Sequence, residues 1–187
     1  MIRFLSTLAI FAPHSWAYAE FQPPKIYPLT PDNKIIFQAG QTTTLRCEGT
    51  LNSVHWVMPD DSSESLKRRI NVNYVTTHKH FIAELTIRDL NYFDTGTLIC
   101  AYNGTSDLTA IDKSTKIHLY VHDKQHVLKF TGVEFLQVTQ FQTFILPCMP
   151  THPDVNVTLW KQDKLITNDE YISFDPKVNI FTFYKYF

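Results

Sequence analysis

Three sets of residues in this chain have types and spacings that could do chemistry: the cysteines, the asparagines of N-x-T triplets, and paired histidines. Cys47, Cys100 and Cys148 are the three cysteines, enough for one disulfide and one leftover thiol. Asn103-Gly104-Thr105 and Asn156-Val157-Thr158 both read as acceptors for an N-linked glycan in a secreted protein. His78-x-His80 puts two imidazoles on one side of a strand, and His118 with His122 does likewise. Two nitrogens fall short of the three or four ligands that zinc takes, so exposed strand histidines are the simpler reading. No nucleophile elbow, metal-protease helix, glycine-rich phosphate loop or C-x-x-C spacing occurs. The expectation is therefore no catalytic residue, no cofactor and no metal. The work of the chain must be binding.

The elements that position these residues are legible around the first two cysteines. The stretch reads Cys47, Trp56, Leu85-x-Ile87-x-x-Leu90 and Asp94-x-Gly96-x-Leu98-x-Cys100. A cysteine, a following tryptophan and a second cysteine closing D-x-G-x-x-x-C form the signature of an all-β, immunoglobulin-like β-sandwich. In that fold two sheets face each other about 10 Å apart, the two cysteines bridge them, and the tryptophan packs on the sulfurs. Cys47–Cys100 is thus the expected bridge and Trp56 the core tryptophan, the bridge contributing roughly 2–4 kcal/mol. Period-two alternation agrees, placing Leu98, Cys100 and Tyr102 on one strand face. One position departs from the pattern. Leu98 stands where a corner tyrosine is usual, so that hydroxyl-to-backbone bond, worth roughly 1 kcal/mol, is lost.

Residues 1–19 read as a signal peptide, with Arg3, the apolar run Phe4–Ala12 and the cleavage motif Ala17-Tyr18-Ala19 before Glu20. That run is shorter than the roughly 20 residues a bilayer requires, and no later stretch is long and apolar enough. Secretion would place the cysteines in an oxidising compartment. A net charge of −1 argues against nucleic acid. Residues 20–123 form the first expected domain, with strands over 34–38, 42–47, 53–58, 70–76, 81–87 and 116–121. Pro59–Ser63 reads as a turn, and Asn103-Gly104 as the tip of a hairpin. Lys67-Arg68-Arg69 reads as a solvated edge guarding a strand, with a sulfated sugar as the sharper alternative. His122–His126 is polar and marks the expected boundary.

The pattern then begins again over residues 124–187. Phe144, Leu146 and Cys148 alternate as a new first core strand, and Val155, Val157 and Leu159 as its partner in the other sheet. An N-glycan on Asn156 must face solvent, and Trp160 shares that strand face, so Leu159 should fill the core while Trp160 points outward. Tyr171–Phe174 and Ile180–Phe187 are strand-like. The matching cysteine would fall beyond Phe187. Cys148 is therefore expected unpaired, in the N-terminal part of a truncated immunoglobulin-like domain.

The first domain resembles the outermost domain of the receptors for vascular endothelial and platelet-derived growth factors. The stretches that carry this are Leu45-Arg46-Cys47-Glu48-Gly49, His55-Trp56-Val57-Met58-Pro59, Glu84-Leu85-Thr86-Ile87, Asp94-Thr95-Gly96-Thr97 and Ile117–Asp123. The later part is similar to the start of those receptors' second domain, through Leu146-Pro147-Cys148, Asn156-Val157-Thr158-Leu159 and Ile172–Lys177. Together they resemble an invertebrate-type member of the group. A second cysteine pair found in some vascular members is missing between Thr76 and Leu85, and Asn179 replaces a frequent glycine.

The resemblance implies an extracellular fragment of a receptor tyrosine kinase, without the kinase. It implies a dimeric cystine-knot growth factor of the vascular endothelial or platelet-derived type as partner, and receptor dimerisation in the full-length form. It also puts Trp160 and Lys161, at the turn Trp160–Asp163, near a ligand-contact surface, with packing against neighbouring strands as the alternative for the tryptophan. A cell-adhesion array and a secreted decoy form remain competing readings.

Overall fold

The computed structural model describes residues 22–58, 64–129, 142–168, 171–175 and 180–184. Residues 1–19, read above as a signal peptide, and residues 59–63, read as a turn, lie outside the described residues. The first part of the chain folds as two facing four-stranded sheets. In chain order the strands are β1 (Lys25–Tyr27), β2 (Lys34–Gln38), β3 (Thr43–Gly49), β4 (Val54–Val57), β5 (Ile70–Thr76), β6 (Phe81–Ile87), β7 (Gly96–Tyr102) and β8 (Ser114–His122). One sheet runs β1-β3-β6-β5 and the other β2-β8-β7-β4, with β2 parallel to β8. The proline-rich start crosses between the sheets, since β1 belongs to one and β2 to the other. This is an immunoglobulin-like sandwich.

Alternation decides which side chains go inside. Along β3, Thr43, Leu45 and Cys47 are buried while Thr44 and Arg46 face water. Leu85, Ile87, Leu98, Leu119 and Val121 fill the space between the sheets, each such side chain adding roughly 1.5–3 kcal/mol by burial. Cys47 and Cys100 are joined across the sheets with a Cα–Cα distance of 5.8 Å. Trp56 packs in the same cluster, and its indole Nε1 donates to the Ala83 carbonyl at 2.9 Å, tying one sheet to the other. Leu98 is buried, as its strand position requires. A different tyrosine supplies a long-range tie: the Tyr102 hydroxyl donates to the Gln22 carbonyl at 3.1 Å and accepts from Thr50 N–H at 3.2 Å. Gly49 leaves room for that ring, since a Cβ there would collide with Tyr102 Cε1.

Two local expectations are corrected. Asn103-Gly104 does turn the chain, with Thr105 N–H bonded to the Tyr102 carbonyl and Gly104 at φ +82°. It is not a hairpin tip, because the connection runs on to Lys113 before β8 begins. The basic run is not simply a solvated edge either. It ends a short helix, α1 (Glu64–Arg69), in which Lys67 pairs with Glu64 at 2.6 Å and Arg68 is exposed. Arg69 turns inward. Its two terminal nitrogens grip the buried Asp94 carboxylate at 2.7 and 2.8 Å, and Nη1 also donates to the Arg88 and Asp89 carbonyls. Asp94 holds the Arg69 pKa above its ordinary value. The carboxylate further accepts from Asn91 N–H, capping the single 3-10 turn Tyr92–Asp94.

The polar stretch after β8 is ordered. Strand β9 (Leu128–Lys129) pairs with β11 (Met149–Pro150), and Thr151 donates from N–H to the Val127 carbonyl and from Oγ1 to the His126 carbonyl. The His126 ring stacks on Tyr92 with centroids 4.1 Å apart, and the His122 and His152 rings meet edge to face at 4.9 Å. Lys129 is buried, and its ammonium donates to the Thr95 carbonyl at 3.0 Å. These contacts make a seam between the first sandwich and the second unit. Beyond it, β10 (Phe144–Pro147), β15 (Ile180–Phe183) and β14 (Ile172–Asp175) form a three-stranded sheet, and β12 (Leu159–Lys161) pairs with β13 (Lys164–Ile166). Ile172, Phe181 and Phe183 are buried there, with Leu146, Cys148, Val157, Leu159 and Ile166 packed against them. The strand expected over 155–159 pairs only from Leu159 onward.

His118, on β8 near the seam, carries a pH prediction. Burial and the charges of Lys34 and Lys129 push its pKa from 6.5 down to about 4. Its ring lies against Tyr120 and shares a hydrogen bond between Nδ1 and Thr97 Oγ1. The unfolded chain then binds a proton that the folded chain refuses. Stability is unaffected above pH 6.5 and falls between pH 6.5 and about 4, by roughly 3 kcal/mol in all. Urea titrations at pH 7, 6, 5 and 4 should show that slope, and His118→Gln should flatten it.

Candidate functional site

Among the described residues of the second unit, the most exposed aromatic side chain sits on the β12–β13 hairpin. Two residues, Gln162 and Asp163, make the turn, Gln162 in the left-handed region at φ +52°. A two-residue turn fixes the register, so Leu159 faces Ile166, Trp160 faces Leu165 and Lys161 faces Lys164. Leu159 and Ile166 lie against the core. Trp160 and Leu165 point the other way, 58% and 47% exposed, forming a cross-strand apolar pair. The lysines at 161 and 164 flank it in sequence, next to the turn. An exposed indole with an aliphatic cross-strand neighbour has the composition of a protein-contact anchor. Leu165 is absent from the residues that sequence singles out, although the K-Q-D-K turn implies its pairing with Trp160.

The three-stranded sheet offers a second apolar face. Ile145 lies opposite Thr182, which lies opposite Ser173, and Tyr171 and Tyr184 extend the same side. Ile145, Tyr171 and Tyr184 are exposed, and the Tyr184 hydroxyl shares a hydrogen bond with Ser173 Oγ at 3.2 Å.

Asn103 and Asn156, the asparagines of the two N-x-T triplets, are both exposed. Asn103 sits in its turn with Nδ2 donating to Ser53 Oγ at 2.7 Å. Asn156 lies just before β12, in a stretch where exposed Asn156, Thr158 and Trp160 alternate with half-buried Val155, Val157 and Leu159. The Trp160 indole Nε1 donates to Thr158 Oγ1 at 3.2 Å, so the ring lies back along that run.

The remaining candidates do not converge. His80 pairs with Glu48 at 2.6 Å, His118 is held by Thr97, and His122 meets His152. Among the described residues no group of three or more His, Cys, Asp or Glu side chains could hold a metal. Cys148 is free and half-buried, and burial pushes its thiol pKa up, away from the reactive thiolate. No helix among the described residues is long and apolar enough to cross a membrane.

Comparison with known proteins locates this arrangement. The chain is 28% identical over 150 residues to vascular endothelial growth factor receptor 1 of Homo sapiens, covering 76% of this chain and 11% of that protein. It is 31% identical over 130 residues to macrophage colony-stimulating factor 1 receptor of Mus musculus, covering 70% and 12% respectively. With platelet-derived growth factor receptor alpha of Rattus norvegicus the identity is 26% over 137 residues, 72% and 12%. The chain thus spans about a tenth of the length of these relatives. The family model described as "VEGFR1-3, N-terminal Ig-like domain" matches residues 22–130, which takes in both sheets of the first sandwich and β9 of the seam. That match covers more than half of the sequence, and through it the chain belongs to the family of vascular endothelial growth factor receptors.

Proposed function

We propose that the chain is an extracellular, growth-factor-binding part of a receptor of the vascular endothelial and platelet-derived type. The observation that carries this reading is the family match over residues 22–130. The signal-peptide pattern of residues 1–19 and the N-x-T triplets at Asn103 and Asn156 support secretion and glycosylation. The contact site for a dimeric cystine-knot factor is the β12–β13 hairpin, with the Trp160–Leu165 pair exposed on it and Lys161 next in sequence toward the turn. Such a dimer would bring two receptor chains together. The chemistry proposed for it is recognition of a protein partner.

The test is a titration of the secreted chain against dimeric factors of the vascular endothelial and platelet-derived types. Trp160→Ala is expected to weaken binding by tenfold or more, about 1.4 kcal/mol. Its thermal midpoint is read alongside, to separate lost contact from lost folding. Binding of no such factor, combined with aggregation of cells that display the chain, would replace the receptor reading with an adhesive one.

A further inference from the structure

We infer that Asn156 carries an N-linked glycan whose first sugars pack on the Trp160 indole, making this tryptophan a carbohydrate platform. Three observations meet here. Exposed Asn156, Thr158 and Trp160 alternate with less exposed neighbours over 155–160. Residues four apart in any chain lie at most about 14 Å from each other, within reach of an asparagine side chain bearing two sugar rings. The indole leans toward the acceptor, because its Nε1 is hydrogen-bonded to Thr158, the threonine of the acceptor triplet itself. An indole that is 58% exposed presents an electron-rich face to the apolar C–H face of a pyranose, as it does to other ring edges. Gln162, Asp163 and Lys164, at the adjoining turn, are exposed.

Attachment balances simply. The Asn156 side-chain nitrogen forms a bond to the anomeric carbon of an oligosaccharide carried on a lipid diphosphate. The carbon–oxygen bond to the diphosphate breaks, the lipid diphosphate leaves, and the nitrogen gives one proton to a base of the transferring enzyme. The amide keeps its other hydrogen.

The sugar and the ring need no growth factor to meet, so the glycan platform is independent of the receptor reading. A partner that docks on the hairpin meets an indole with one face already occupied, so Leu165 and the ring edge are the parts within its reach.

The experiment uses the chain secreted from a glycosylating eukaryotic host, compared with its Asn156→Gln variant. Of the three tryptophans, Trp16 lies in the signal-peptide segment and Trp56 is buried, so acrylamide quenching of the secreted form reports on Trp160. The glycosylated chain is expected to be quenched less than Asn156→Gln. Trp160→Ala should lower the thermal midpoint of the glycosylated chain by about 2–4 °C and leave that of the Asn156→Gln chain unmoved. Trp160→Phe should recover part of the loss, since it keeps an aromatic face. Mass spectrometry showing Asn156 unmodified would overturn the inference, as would equal quenching or an equal Trp160→Ala effect in both chains. Those failures leave growth-factor titration untouched, so the two readings fall separately.

Discussion

Asp94→Ala is expected to destabilise the first sandwich by about 3–5 kcal/mol, read as a fall in unfolding free energy in urea. The size follows from burial. The Asp94 side chain is almost fully enclosed and that of Arg69 largely so. Removing the carboxylate leaves a guanidinium out of water with only the Arg88 and Asp89 carbonyls as partners. It also removes the acceptor for Asn91 N–H, one half of the capping box of the 3-10 turn, while Asn91 Oδ1 still accepts from Phe93 N–H. Arg69→Met combined with Asp94→Leu should recover most of the loss, because an apolar pair carries no desolvation cost. If the double variant is as unstable as the single one, the pair acts through backbone geometry rather than charge.

Removing the bridge is expected to cost as much. Cys47 and Cys100 are separated by 53 positions, and a loop of that size restricts the unfolded chain by about 4 kcal/mol. Cys47→Ala with Cys100→Ala should therefore lower the unfolding free energy by roughly 2–5 kcal/mol, and reductant should do nothing further to that variant. Peptide mapping without reduction should find the 47–100 link and Cys148 alkylated slowly. A peptide joining Cys148 to either partner would overturn the assignment.

Much of the first sandwich could be read from the sequence because its signals are local. The alternation Thr43, Leu45, Cys47 writes the buried side of β3 directly into the chain, and Trp56 declares its strand by its distance from Cys47. The Arg69–Asp94 grip left no such trace. The two residues are 25 positions apart, and composition around Arg69 shows only three cations in a row. The seam was hidden for another reason. His122–His126 is polar, which argues against burial of side chains, but the contacts there use backbone carbonyls that every residue possesses together with partners distant in sequence, such as Thr151 and Tyr92. On the hairpin, the outward direction of Trp160 followed from the parity of Asn156, whereas Leu165 required knowing that the turn holds two residues. Alternation over 155–159 suggested a longer strand than is paired, because side-chain pattern records which face is apolar and not where a neighbouring strand ends.

The seam also has a consequence for recognition. A short unpaired tether between two sandwiches would leave the hairpin free to sample many directions relative to β8, and a partner touching both units would have to freeze that freedom on arrival. Here the freezing occurs during folding, through the Thr151 bonds, the Lys129 ammonium on the Thr95 carbonyl and the stacked His126 ring. The first sandwich accordingly acts as a fixed handle. The start of the second unit is thereby tied to the first sandwich by bonds made within the chain, ahead of any partner.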